Sequence, residues 1–76
     1  MIPTSKTFRW RKATDVNREN AIFELLADEK ALLDVGYSDT GVFEVAFNEE
    51  IAGRVLEWDQ IQKLIEAGKK LADLDR

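Results

Sequence analysis

Four short apolar stretches, residues 21–27, 31–38, 42–48 and 51–56, fall into one sheet register, and nothing else in the chain restricts its fold as much. With three-residue turns between them, they align row by row. One row reads Leu25, Leu33, Phe47, Ile51. The next reads Phe23, Val35, Val45, Gly53. The third reads Ala21, Tyr37, Phe43, Val55. All twelve positions point to one face and none is charged. Side chains alternate across a strand, so a one-residue slip would send every row to the opposite face.

The turn chemistry agrees. Asp39-Thr40-Gly41 suits a type I turn closed by a left-handed Gly, a common three-residue hairpin loop. Asp28-Glu29-Lys30 and Asn48-Glu49-Glu50 serve as the other two turns. Residues 21–27 also carry a helical stripe, Ile22, Leu25 and Leu26. The register favours a strand there, since periodicity alone does not decide a short apolar run.

From Trp58 the apolar period changes from two to 3.6. Ile61, Leu64, Ile65, Gly68, Leu71 and Ala72 form one stripe of an amphipathic helix of about four turns. Glu57 is its weak cap. Gly68 lies on the stripe, where Gly costs about 1 kcal/mol relative to Ala. A close approach of helix to sheet explains its presence. Gly53, the one missing side chain in the grid, makes a recess for Trp58 or Leu64.

The N-terminal residues 1–6 hold the single Pro and read as a loose terminus. Residues 7–12 alternate, with Phe8 and Trp10 on one side and Arg9 and Arg11 on the other, as in a strand. The predicted fold class is therefore α+β. It is an antiparallel four-stranded meander, with residues 7–12 as a further N-terminal strand and one C-terminal helix on one face.

With 76 residues the chain is one small domain, residues 1–76, with a modest core. It has no Cys and no His, which removes disulfides, thiolate metal sites and the commonest general base. No cofactor or metal is expected. No apolar run reaches membrane-spanning length, and residues 1–12 lack a secretory signal's apolar stretch. The expected location is the cytoplasm.

Charge is unevenly placed. Residues 1–18, a basic arm, hold five basic residues and one acidic, a net +4. Residues 19–76 hold six basic and fourteen acidic, a net −8. Such a body favours basic partners and repels nucleic acid.

Two groups of residues are candidate sites. The first is the sheet face opposite the helix. It carries Glu24 beside Asp34, and Glu44 beside Arg54, a favourable cross-strand pair. It also carries Ile22, Leu26, Leu32, Val42 and Leu56, more large apolar groups than an open face usually shows. Either the arm folds back onto these residues, with Phe8 and Trp10 upon them and Arg9 or Arg11 near Glu24 and Asp34, or a second subunit or a foreign protein covers them. The second group is Phe8, Arg9, Trp10, Arg11 and Lys12. Rings interleaved with cations suit single-stranded nucleic acid, although an edge strand with rings packed and charges wet gives the same pattern.

These features point to a small non-catalytic protein–protein interaction module, acting as a homodimer. One alternative is an acidic, immunity- or antitoxin-like inhibitor of a basic toxin or nuclease. Another is a nucleic-acid accessory protein using the basic aromatic arm. An enzyme is disfavoured, because the carboxylates fall on turns and outer faces, and no nucleophile–base pair is visible.

Overall fold

The computed structural model describes residues 7–76. The expected loose terminus, residues 1–6, lies outside them. The elements are β1 (Phe8–Ala13), β2 (Ile22–Ala27), β3 (Lys30–Tyr37), β4 (Phe43–Phe47), a short 3-10 turn (Glu49–Ile51) and α1 (Trp58–Leu74). The strands form one antiparallel meander in the order β1-β2-β3-β4. The α+β class, the four-stranded sheet and the single C-terminal helix are as the sequence predicts. None of the helices among the described residues is long and apolar enough to cross a membrane.

Residues 21–27 are a strand from Ile22 onward, not a helix. The central rows stand as predicted: Leu25 opposes Leu33, which opposes Phe47, and Phe23 opposes Val35, which opposes Val45. Tyr37 opposes Phe43, and their rings meet edge to face at 5.3 Å between centroids. The loop before Val42 is the expected three-residue hairpin. Ser38 N–H donates to the Val42 carbonyl at 2.8 Å, and Gly41 holds φ +87°.

The first turn is shorter than expected. Ala27 pairs with Lys30, so the loop is the two residues Asp28 and Glu29. Both have positive φ, 52° and 67°, as the hairpin turn that matches strand twist requires. The ladder then shifts between Leu25 and Leu26, leaving Leu32 as an extra residue on β3. This bulge restores the one residue the tight turn omits. The predicted β2–β3 pairings of Phe23 with Val35 and Leu25 with Leu33 therefore survive a different turn.

Residues 51–56 are not a strand, which corrects the sequence reading. Ala52 N–H donates to the Glu49 carbonyl and Arg54 N–H to the Ile51 carbonyl, at 3.0 and 3.2 Å. These local bonds use groups a ladder would need. Gly53 takes φ +77°, a backbone no strand adopts, so it makes a turn and not a recess in the sheet. The fourth strand is supplied by residues 8–13 at the other side, on β2. Ile51 alone of this segment joins the helix-side core.

That core is Phe23, Leu25, Leu33, Val35, Tyr37 and Ala72, flanked by Phe8, Trp10, Phe43, Val45, Ile61, Leu64 and Leu71. Helix α1 runs 17 residues and sits over β2 and β3. Gly68 is buried, and a Cβ there would lie 2.5 Å from Trp10 Cζ2. The helix thus approaches the sheet where it lacks a side chain, on the Trp10 ring. Glu57 caps the helix without a side-chain hydrogen bond. At the opposite end Tyr37 Oη donates to Asp73, Lys69 bonds the same carboxylate at 3.2 Å, and Lys12 reaches Asp75 at 2.6 Å. The Arg76 guanidinium lies 4.0 Å from the centre of the Tyr37 ring. Both bonds hold the Asp73 carboxyl below its ordinary range, the Tyr37 bond contributing most.

Candidate functional site

Alternation along β1 decides what the arm can present. Phe8 opposes Ala27, Trp10 opposes Leu25 and Lys12 opposes Phe23, so the two rings lie on the helix face. Arg9 opposes Leu26 and Arg11 opposes Glu24, on the outer face. The arm does lie on its own sheet, but as an edge strand. Its rings do not cover the outer face, since rings and guanidinium groups of alternate residues must point oppositely.

The cations of the arm are engaged. Arg9 donates to both oxygens of Glu29, at 2.8 and 2.7 Å, and this bond lowers the Glu29 carboxyl from its ordinary value. Arg11 places two donors on Glu24 Oε1, at 2.9 and 2.7 Å. Lys12 holds Asp75. Phe8, Arg9, Trp10, Arg11 and Lys12 therefore form no joint surface of rings and free cations.

On the outer face, Glu24 does oppose Asp34. Arg11 offsets that repulsion from one side. Asn48 Nδ2 lies 3.4 Å from Asp34 Oδ1 on the other. Burial, opposed by the Asn48 bond and aided by Glu24, raises the Asp34 carboxyl above its ordinary value. A depression of about 90 Å³ lies here, walled by Arg18, Ile22, Asp34, Gly36 and Glu44. Arg18 Nη2 spans to the Tyr37 carbonyl at 3.0 Å. Among the described residues no three carboxylates converge on a metal-sized site.

The expected apolar patch on this face is largely closed. Leu26 and Leu32 are 1% and 0% exposed, and neither belongs to the helix-side core. Ile22 is half-buried, while Val42 is exposed. The Glu44–Arg54 pair does not form. With 51–56 out of the sheet, Glu44 opposes Gly36 alone, and Arg54 turns back to Glu50, its Nε donating to that carbonyl at 2.6 Å. Leu56 lies in the connection before α1 and joins no sheet row.

Exposed apolar area instead collects between β4 and α1. Phe47 is 68% exposed, Val55 97% and Trp58 71%. The sequence rows place Phe47 and Val55 in the core, on the assumption of a strand beyond β4. Removing that strand makes β4 an edge. The exposed carboxylates Glu49, Glu50, Glu57 and Asp59 flank these residues.

The backbone of β4 has a defined polarity. Ser38 bonds the Val42 carbonyl, and Asn48 N–H donates to the Leu32 carbonyl at 2.9 Å. Both fall in the register of the β3–β4 ladder, in which hydrogen-bonded and open positions alternate. Val42, Glu44, Ala46 and Asn48 therefore face β3, and the N–H and C=O groups of Phe43, Val45 and Phe47 face outward. The same parity on β1, set by Asp28 N–H donating to the Thr7 carbonyl at 3.3 Å, turns Phe8, Trp10 and Lys12 outward. Each sheet edge is thus a row of open donors and acceptors. The β1 edge carries Arg9, Arg11 and Lys12, while β4 carries one charge, Glu44. Charged residues are the usual guard against edge pairing. Set beside known proteins, this chain matches no family model, no curated protein and no solved structure.

Proposed function

We propose that this chain is a small non-catalytic protein–protein interaction module that works as a homodimer. The observation that carries the reading is the exposure of Phe47, Val55 and Trp58 within one short stretch, outside the core and among carboxylates. Single exposed apolar residues are ordinary, whereas three large ones in the segment from the end of β4 to the start of α1 support a surface that meets a partner. The paired state of Arg9, Arg11 and Lys12 and the inward rings of Phe8 and Trp10 favour a protein partner over nucleic acid.

Sedimentation equilibrium of the full chain from micromolar to millimolar concentration tests the reading. The expected result is a mass that rises to twice that of the monomer. A monomer throughout sinks the homodimer. A second reading, an acidic inhibitor of a basic partner, draws support from Glu49, Glu50, Glu57 and Asp59 around the same apolar residues. It requires association that slows steeply with salt, and salt-independent binding to a basic partner counts against it.

A further inference from the structure

We propose that the homodimer, if that reading holds, forms by antiparallel pairing of β4 with β4 of a second copy about a two-fold axis at Val45. The sheets then join into one of eight strands. The parity of β4 allows this register, and centring on Val45 is the choice that uses all three open positions. Phe43, Val45 and Phe47 face their N–H and C=O groups outward, so two edges centred on Val45 bring three open positions against three. Val45 exchanges both bonds with its counterpart, and each Phe43 exchanges both with Phe47 of the other copy. An isologous contact of this kind closes on itself, and the edges it leaves are the two β1 strands with their charged residues.

Side chains agree with the backbone. On the helix face Phe47, 68% exposed in the single chain, comes beside Phe43 of the second copy and extends the Tyr37–Phe43 ring cluster. On the outer face Glu44 comes beside Ala46, so the one charge of the strand never meets its own copy directly across the pair. Helix α1 lies mainly over β2 and β3 and reaches β4 at Phe43, whose ring centre lies 5.7 Å from Lys69 Nζ. The other edge, β1, centred in the same way on Trp10, would place Arg9 against Arg11 of the copy at two symmetric positions, which like-charge repulsion opposes. A second copy fits β4 better than a foreign strand because every apposition in this register is already satisfied by the strand's own sequence.

Two measurements test it on the full chain. The first is residue-resolved amide exchange as a function of concentration. Glu44 and Ala46 amides, bonded to β3, should be protected in both states, while Phe43, Val45 and Phe47 gain protection only as dimer forms. The second is the dissociation constant of Ala46→Glu and Ala46→Lys. Ala46 is exposed but stands opposite Asp34, so circular dichroism confirms the fold of each variant before its dissociation constant is compared. Cross-strand charge pairs occur twice by symmetry, so Ala46→Glu should weaken the dimer by about 2- to 30-fold and Ala46→Lys tighten it. A dimer whose 43, 45 and 47 amides stay unprotected, or which ignores both Ala46 charges, overturns the β4 pairing while leaving a homodimer through another surface. A chain that stays monomeric at millimolar concentration overturns the homodimer itself.

Discussion

Replacing Gly68 by Ala is a sharp test of how α1 is seated. In an open helix the change would stabilise by about 1 kcal/mol, because Gly gives up more backbone entropy. Here the new Cβ would lie 2.5 Å from Trp10 Cζ2, 2.6 Å from Cη2 and 3.0 Å from Cε2. Relief requires the ring or the helix to retreat by about 1 Å, into the range of ordinary carbon contacts. The ring has little freedom. Trp10 sits on a strand opposite the fully buried Leu25, and its indole Nε1 is itself buried with no partner among the described residues. Overpacking a filled site costs about 1–3 kcal/mol. Taking the upper part of that range against the helical gain, Gly68→Ala should destabilise by about 1–2 kcal/mol. For a domain of this size the melting temperature falls by about 4–16 °C.

The assay is urea denaturation followed by far-ultraviolet circular dichroism, since the exposed Trp58 would confuse a fluorescence signal. A double-mutant cycle removes the ambiguity of a single number. Trp10→Phe deletes the ring atoms that the new methyl meets, so Gly68→Ala in that background should stabilise by up to about 1 kcal/mol. The sign reverses, with a coupling of about 2–3 kcal/mol between residues in contact. If Gly68→Ala stabilises the wild-type chain by the full helical amount, the helix does not rest on Trp10 and the packing argument fails.

Two further substitutions follow from local geometry. Glu29→Gly removes a side chain held at φ 67° at the cost of an exposed ion pair with Arg9, and should stabilise by about 0.5–1 kcal/mol in thermal melts; destabilisation would show that the pair outweighs the strain. Asp34→Asn should stabilise at neutral pH, because the folded carboxyl is raised above 3.8 and its ionised form is disfavoured by burial. The advantage over wild type should shrink as pH falls through the raised folded value and vanish below about 3.8, and a difference that persists at pH 3 would remove ionisation as the cause.

Strands β2, β3 and β4 were legible because a buried face demands strict alternation, and Leu25, Phe23, Val35 and Val45 supply it. The bulge at Leu32 was not, since a three-residue turn and a two-residue turn with one bulge give the same rows. Residues 51–56 misled for a related reason. Ile51, Gly53 and Val55 alternate as a strand would, but six residues carry too little information to outweigh local hydrogen bonds at Ala52 and Arg54. Of the candidate site, the acidic pair Glu24 and Asp34 and the sharing of one side of β1 by Arg9 and Arg11 could be read from alternation alone, but not the face that side joins, since an arm laid across the outer face would set the rings there. The exposed edge at Phe47 could not, because its exposure depends on where residues 51–56 go.

The uneven charge of the sequence and the open edge of β4 have one cause. A basic strand added to this sheet has two edges to choose from. Beside β2 it finds Glu24 in its outer row and Glu29 at the turn, and Arg11 and Arg9 take them at 2.7 Å each. Beside β4 it would find a single carboxylate, Glu44. Register follows from the same match. A slip of one residue would put Trp10 in water and Arg9 and Arg11 beneath α1, exchanging buried rings for buried unpaired charges. The acidic body thus draws the basic arm to the β2 edge and fixes its faces. What looked in sequence like a polycation free to bind elsewhere becomes the guard of one edge. The other edge keeps its five residues with one charge, the property on which the proposed pairing with a second copy rests.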